Sequence, residues 1–273
     1  MSEEKLPLKL VVSDMDGTLL PPGKILTPRT LDAIKQLQAA DIPLCLASAR
    51  PPEGMMRYIN QLHLTSLCAG FNGSVIFRPH GQIYQNITLP LPLVHELVSV
   101  LSSYPVEVWL QDYKTWLVED KTTALVLYEQ SVTDVLPVQV KSLTESVIPV
   151  SRVVATGTDP DLMAELEKTL GDRYHGQAAV IRSNPRMLDI TAPAATKGQA
   201  LRKLAELYHI SPAQIAALGD AQNDISLLKA AGLGIAMGQA PQIVKDAADF
   251  VTASNVEDGW ADAIEQFVLP RSG

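Results

Sequence analysis

Apolar and polar positions fall in blocks along the chain, and the period of the blocks alternates between strand and helix. Residues 10 to 20 read LVVSDMDGTLL, an apolar run that stops at two aspartates one residue apart. The continuous β-prone run from Lys9 to Ser13 predicts a strand covered on both faces. Thr27-Pro28 supplies an N-cap and a proline for the first helical position, and Leu31, Ile34, Leu37 and Gln38 follow on a helical period that ends near Asp41. Residues 42–47 then predict a buried strand, 52–62 a helix and 66–69 a short strand, with a hairpin of 75–77 and 82–84 around His80-Gly81.

The alternation returns near the other end. Helices are predicted at 195–209, 224–231, 241–248 and 257–268, and strands at 215–219 and 234–237. The middle has a different texture. A helix at 91–103 precedes paired strands at 106–111 and 115–118 that carry Trp109 and Trp116, then an irregular stretch over 132–149. A strand at 150–156, a helix at 160–170 and a strand at 178–182 complete it. Strands alternating with helices imply βαβ units and a parallel sheet with right-handed crossovers. The expected fold class is therefore α/β: a doubly wound, Rossmann-like parallel-sheet core from residues 1–82 and 189–273, with a smaller α/β cap domain inserted at 83–188. Two crossings join the parts, which allows a hinge.

Composition narrows the function classes. A chain of 273 residues can bury roughly 75% of the surface its unfolded form exposes. Net charge is -8, with no basic stripe, so neither nucleic acid nor an anionic membrane is an expected partner. Cys45 and Cys68 sit in apolar settings and read as buried free thiols rather than a disulfide. The start MSEEKLPLK has no apolar core after a basic region, and no run of 18 apolar residues occurs, which points to the cytosol. No oligomeric state follows from the pattern.

Polar groups collect where the predicted strands end. In an open parallel sheet that is where ligands bind. The first strand ends in Asp14 and Asp16, the second in Ser48-Ala49-Arg50, and the strand at 215–219 runs into Asp220, Asn223 and Asp224; Lys197 starts the helix just upstream. Two like charges ~4 Å apart repel by about 4 kcal/mol at an effective dielectric of ~20, so the paired aspartates need an offset. Four carboxylates on one rim suit a hard divalent cation, and Mg²⁺ pairs naturally with a substrate phosphate.

DMDGT, ASAR, TKG and GDAQND, in this order and separation, resemble the four motifs of the haloacid dehalogenase-like superfamily, in its Cof-like branch of phosphatases with a large α/β cap. FNGS at 71–74, AMGQA at 236–240, ADFVT at 248–252 and EDG at 257–259 are smaller echoes. The resemblance implies a phosphatase of small phosphorylated metabolites: sugar phosphates, pyridoxal phosphate or flavin mononucleotide. It implies Asp14 as the nucleophile that becomes an aspartyl phosphate, and Asp16 as the acid that protonates the leaving oxygen and the base that activates water. Ser48, where threonine is usual, donates to the phosphoryl group, and Ala49 replaces the usual glycine of that turn. Lys197 neutralises developing charge. Mg²⁺ is held by Asp14, the Asp16 main-chain carbonyl and Asp220, with Asp224 and Asn223 in support. Arg50, Asn72, Gly73 and Asn223 are expected near the substrate, although Asn72-Gly73 also reads as a plain hairpin turn. A phosphomutase, a receiver-like signalling module and a sugar-phosphate-binding protein without catalysis are the alternatives.

Overall fold

The computed structural model describes residues 6–272. The chain opens with β1 (Leu10–Ser13), α1 (Pro28–Ala39), β2 (Leu44–Leu46), α2 (Pro52–Gln61) and β3 (Cys68–Gly70). Thr27 accepts from the Thr30 amide and Pro28 fills the first turn, so α1 starts where its cap residues place it. A hairpin of β4 (Val75–Phe77) and β5 (Ile83–Asn86) pairs antiparallel with β3, and an Ala47–Ala69 bridge joins it to the end of β2.

The chain continues through α3 (Leu91–Leu101), β6 (Glu107–Gln111), β7 (Trp116–Val118), α4 (Ala124–Thr133), β8 (Val138–Gln139), β9 (Arg152–Thr156), α5 (Pro160–Arg173), β10 (Ala179–Asn184) and β11 (Met187–Thr191). It then builds α6 (Lys197–Tyr208), β12 (Ile215–Gly219), α7 (Ile225–Ala230), β13 (Leu233–Ala236), α8 (Gln242–Lys245), β14 (Phe250–Val251) and α9 (Gly259–Ala263), and a π-helical turn over Ile264–Val268 continues α9.

The first and last parts form one parallel sheet in the order β14-β13-β12-β1-β2. Successive residues of its central strands pack into two different cores. Val11, Leu44, Leu46, Ala216 and Leu218 join one cluster, while Leu10, Val12, Cys45, Ile215 and Ala217 join the other. That is the period-2 consequence of a sheet covered on both faces, and it explains why these strands read as unbroken apolar runs. Cys45 and Cys68 are free and buried.

The middle of the chain forms a second sheet in the order β10-β11-β9-β6-β7-β8, mostly antiparallel. The resulting molecule is an α/β core with an inserted α/β cap. One face of the cap sheet buries α3 and α5; the other buries Trp109 against Trp116, ring centroids 5.2 Å apart at 65°, together with Val126 of α4. The two tryptophans are cap core. Ile87 still bonds to Ser74 of the hairpin, and Leu89 already bonds to Val150. The first crossing therefore lies at Thr88, and the second follows β11, after Thr191.

Four elements depart from the pattern. α4 and β11 fall where no element is predicted, and β8 and β14 are two-residue strands. The sequence of α4, ALVLYEQSVT, is rich in β-branched and apolar residues with no helical stripe; its Thr123 cap and its left-handed Asp134 end set its limits instead. β11 carries the buried Asp189 in an otherwise apolar strand. Among the described residues no helix is long and apolar enough to cross a membrane.

Candidate active site

β1 lies between β2 on one side and β12 on the other, so the strand order reverses between β1 and β12. A crevice opens at the carboxyl ends of two strands that diverge in this way. Asp14 follows β1 and is tied to β12 by a 3.0 Å bond from its amide to the Leu218 carbonyl; Asp220 follows β12. The glycine between them is required by space. Gly17 has φ +92°, and a Cβ there would lie 2.3 Å from the Asp220 carboxylate. Thr18 donates to Asp220 Oδ1 at 2.7 Å, fixing one carboxylate of the second strand from the loop of the first.

Lys197 is the first residue of α6, placed by the Thr196 cap, and is 1% exposed. Its Nζ donates to Asp14 Oδ1 at 2.5 Å and to Asp224 Oδ1 at 2.6 Å. Burial pulls the Lys197 pKa down, but the attraction of Asp14 and Asp224 outweighs it and holds the ammonium above its ordinary value. The second oxygen of Asp224 accepts from the backbone amides of Asp220 and Ala221, each at 3.0 Å. Oxygens of Asp14, Asp220 and Asp224 lie within 4.8 Å of one another, a set that can hold a metal ion. Burial pushes the Asp14 carboxyl well up; Lys197 opposes this, and Asp224 and Asp220 reinforce it. Asp220 is raised in the same direction by burial. Buried carboxylates this close are the environment that a hard cation relieves.

The Asp16 carboxylate turns away from this group. Arg50 holds it in a fork, Nε to Oδ2 at 2.6 Å and Nη2 to Oδ1 at 2.8 Å, and Lys24 also bonds to it. Burial works to raise the Asp16 carboxyl, yet these cations hold it down to about 2. The two aspartates at one strand end thus face different cations: Asp14 shares Lys197 with Asp224, and Asp16 is held by Arg50 and Lys24. The Asp16 side chain is not part of the carboxylate group around Lys197, which leaves only its main chain for the ligand role in the sequence expectation.

The remaining expected residues separate into those that reach the cleft and those that support it. Ser48 accepts from the Arg50 amide at 3.1 Å, which leaves its hydroxyl proton to donate into the cleft. Ala49 has no positive φ, so alanine serves where glycine is usual. Asn72 adopts a left-handed conformation, φ 55°, and its Oδ1 accepts from Asn223 Nδ2 at 2.9 Å. Gly73, φ +102°, faces the start of α6; a Cβ there would lie 2.8 Å from both Ala200 and the Thr196 carbonyl. It therefore permits close packing beneath Lys197 and does not line the cleft. Lys24 and Thr18 carry contacts that the sequence reading missed. The only cue to Lys24 was its place after Pro21-Pro22-Gly23, a turn that brings the chain back to Asp16.

Asp14, Asp16, Lys24, Ser48, Arg50 and Asn223 line one wall of a cleft of about 310 Å³, and the other wall comes from α4, β9, β10 and β11 of the cap. A carboxylate at a switch point, braced by a buried lysine and roofed by a second domain, marks the site of a capped, doubly wound α/β protein. The family model of haloacid dehalogenase-like hydrolases matches residues 11–264, and the chain belongs to that family. A Haemophilus influenzae protein is 31% identical over 259 residues, covering 94% of this chain and 97% of its own. The pyridoxal phosphate phosphatase YbhA of Escherichia coli is 27% identical over 270 residues, 95% of this chain and 97% of that protein. A solved haloacid dehalogenase-like hydrolase from Bacteroides thetaiotaomicron superposes with a TM-score of 0.85 at 30% identity, covering 95% of this chain and 99% of that one.

Proposed function

We propose that the protein is a Mg²⁺-dependent phosphatase that hydrolyses small phosphorylated metabolites through an aspartyl phosphate on Asp14. The observation that carries this reading is the buried Asp14 carboxylate, 2.5 Å from Lys197 Nζ and open to the cleft under the cap. The three carboxylates Asp14, Asp220 and Asp224 fit Mg²⁺ as hard oxygen donors, and the family resemblance adds the Asp16 carbonyl to the set. When bound, the cation supplies electrostatic stabilisation of the transferring phosphoryl oxygens.

The chain's own residues do the rest. An Asp14 oxygen attacks phosphorus, the bond to the leaving oxygen breaks, and the acyl phosphate that forms splits one displacement into two easier ones. Lys197 and the Ser48 hydroxyl stabilise the phosphoryl oxygens. Asp16, held ionised by Arg50 and Lys24, is in the state a base needs to take a proton from the water that attacks the acyl phosphate. A phosphoryl dianion entering the cleft competes for those two cations. This frees Asp16 to carry the proton that the leaving oxygen takes in the first step. The segment between the two crossings, 89–191 rather than the 83–188 expected from the sequence because β5 pairs with the core hairpin and β11 with the cap sheet, acts as the cap that excludes water and reads the leaving group.

Phosphate release from a panel of phosphorylated metabolites tests the reading. Excess chelator abolishes release, and added Mg²⁺ restores it; full turnover by metal-free protein would contradict the proposal.

A further inference from the structure

The cap wall of the cleft holds a carboxylate that the proposed chemistry does not use. Glu129 projects from α4 into the cleft beside Tyr128 and Val132. α4 buries only Val126 and Thr133, and Tyr128 remains 66% exposed and Val132 39%. The helix thus turns apolar surface and one acid toward the space where a leaving group would sit. Among the described residues, no cation lies within ion-pair distance of the Glu129 carboxylate, and no hydrogen bond is made to it.

Among the described residues, every cation lining the cleft already has a protein partner, and Lys24 and Arg50 are the pair that the transferring phosphoryl group itself would claim. Lys24 and Arg50 hold Asp16, and Arg50 Nη1 also donates to the Gly54 carbonyl at 3.2 Å. Arg152 donates to Gln111 at 2.8 Å, to Asp189 at 3.1 Å and to the Ala49 carbonyl at 3.0 Å, and its guanidinium lies 4.9 Å from the Phe71 ring centroid. That last set of contacts ties the cap to the Ser48–Arg50 loop and leaves Arg152 little capacity for a substrate anion. The Glu129 carboxyl is raised above its ordinary range by burial, with Arg152 and Arg50 drawing it back and Asp189 and Asp16 adding to the rise.

We infer that Glu129 is a specificity-determining residue: it admits leaving groups that offer an ammonium or hydroxyl donor and rejects those that carry a second anionic group. The inference rests on the phosphatase reading and names its substrate class, a monophosphate ester of a small, hydroxylated or aminated molecule with an apolar face for Tyr128 and Val132. A donor-bearing leaving group gives Glu129 the partner the protein withholds. A carboxylate or second phosphate meets a half-buried like charge with no free cation among the described residues to offset it.

Three matched esters test this: glucosamine 6-phosphate, glucose 6-phosphate and 6-phosphogluconate. For the native protein, kcat/KM on either of the first two exceeds that on the third by about tenfold or more. Glu129→Gln, close to isosteric, reduces the ratio of glucose 6-phosphate to 6-phosphogluconate by about tenfold, and Glu129→Lys reverses the preference. Ratios that stay within about twofold of native in both variants overturn the assignment of Glu129 while leaving the phosphatase reading intact. A native protein that releases phosphate from none of the esters, and from no aryl phosphate, overturns both.

Discussion

Asp14→Asn is expected to stop phosphate release from every ester, alkyl or aryl, with kcat falling by about 10⁴-fold or more. An amide nitrogen or oxygen is a far poorer nucleophile at phosphorus than a carboxylate, so no choice of leaving group rescues the variant. The side chain is nearly isosteric and remains within reach of Lys197, so folding should survive. Steady-state kinetics on an activated aryl phosphate and on a sugar phosphate provide the check. Activity lost on the sugar ester and retained on the aryl ester would assign Asp14 to proton transfer or binding and not to attack.

Lys197→Met carries the second large effect, on stability and rate together. The ammonium is the shared partner of Asp14 and Asp224, which are 5% and 0% exposed. Removing it leaves two buried carboxylates facing one another, and breaking a buried pair in this way costs roughly 3–5 kcal/mol. The carboxyls avoid part of that cost by taking up a proton. A protonated Asp14 cannot attack, and the transferring phosphoryl group also loses a preorganised cation, so kcat falls by about 10²- to 10³-fold. Urea unfolding and single-turnover kinetics read the two consequences separately. A variant that loses stability but keeps its rate would make Lys197 a structural residue only.

The strands that frame the site were legible because each is an unbroken apolar run ended by a polar group. β12 is found at the residues the pattern indicates, and β1 within one of them. α1 was legible through Thr27 and Pro28, whose capping chemistry is local. α4 was not, because its position is decided by the cap sheet below it and α2 of the core beside it: Thr133 lies 3.2 Å from where a Cβ on Gly54 would stand. β11 escaped because Asp189 breaks an apolar strand, and it is the long-range ion pair with Arg152 that makes that acid tolerable there.

Within the site, the motif residues could be read from their order along the chain, but their pairings could not. Thr18 meets Asp220 across 202 residues, and Asn223 meets Asn72 across 151. The separation of Asp14 from Asp16 onto different cations is likewise a property of the folded loop, since the spacing alone suggested a single shared offset. Gly73 shows the converse: its motif suggested substrate contact, and the need it meets is the close approach of α6.

The central claim is the covalent phosphate on Asp14, and Asp16→Asn is the protein in which to trap it. An aryl leaving group departs without a proton, so the first step survives in this variant, while hydrolysis of the acyl phosphate stalls for want of a base. Mixing the variant with an aryl phosphate and quenching in acid should show a burst of phenol equal to the enzyme present. The quenched protein should carry one acid-stable, hydroxylamine-sensitive phosphate on the peptide that contains Asp14. Phenol release without a burst, from a protein that never carries phosphate, would contradict the account.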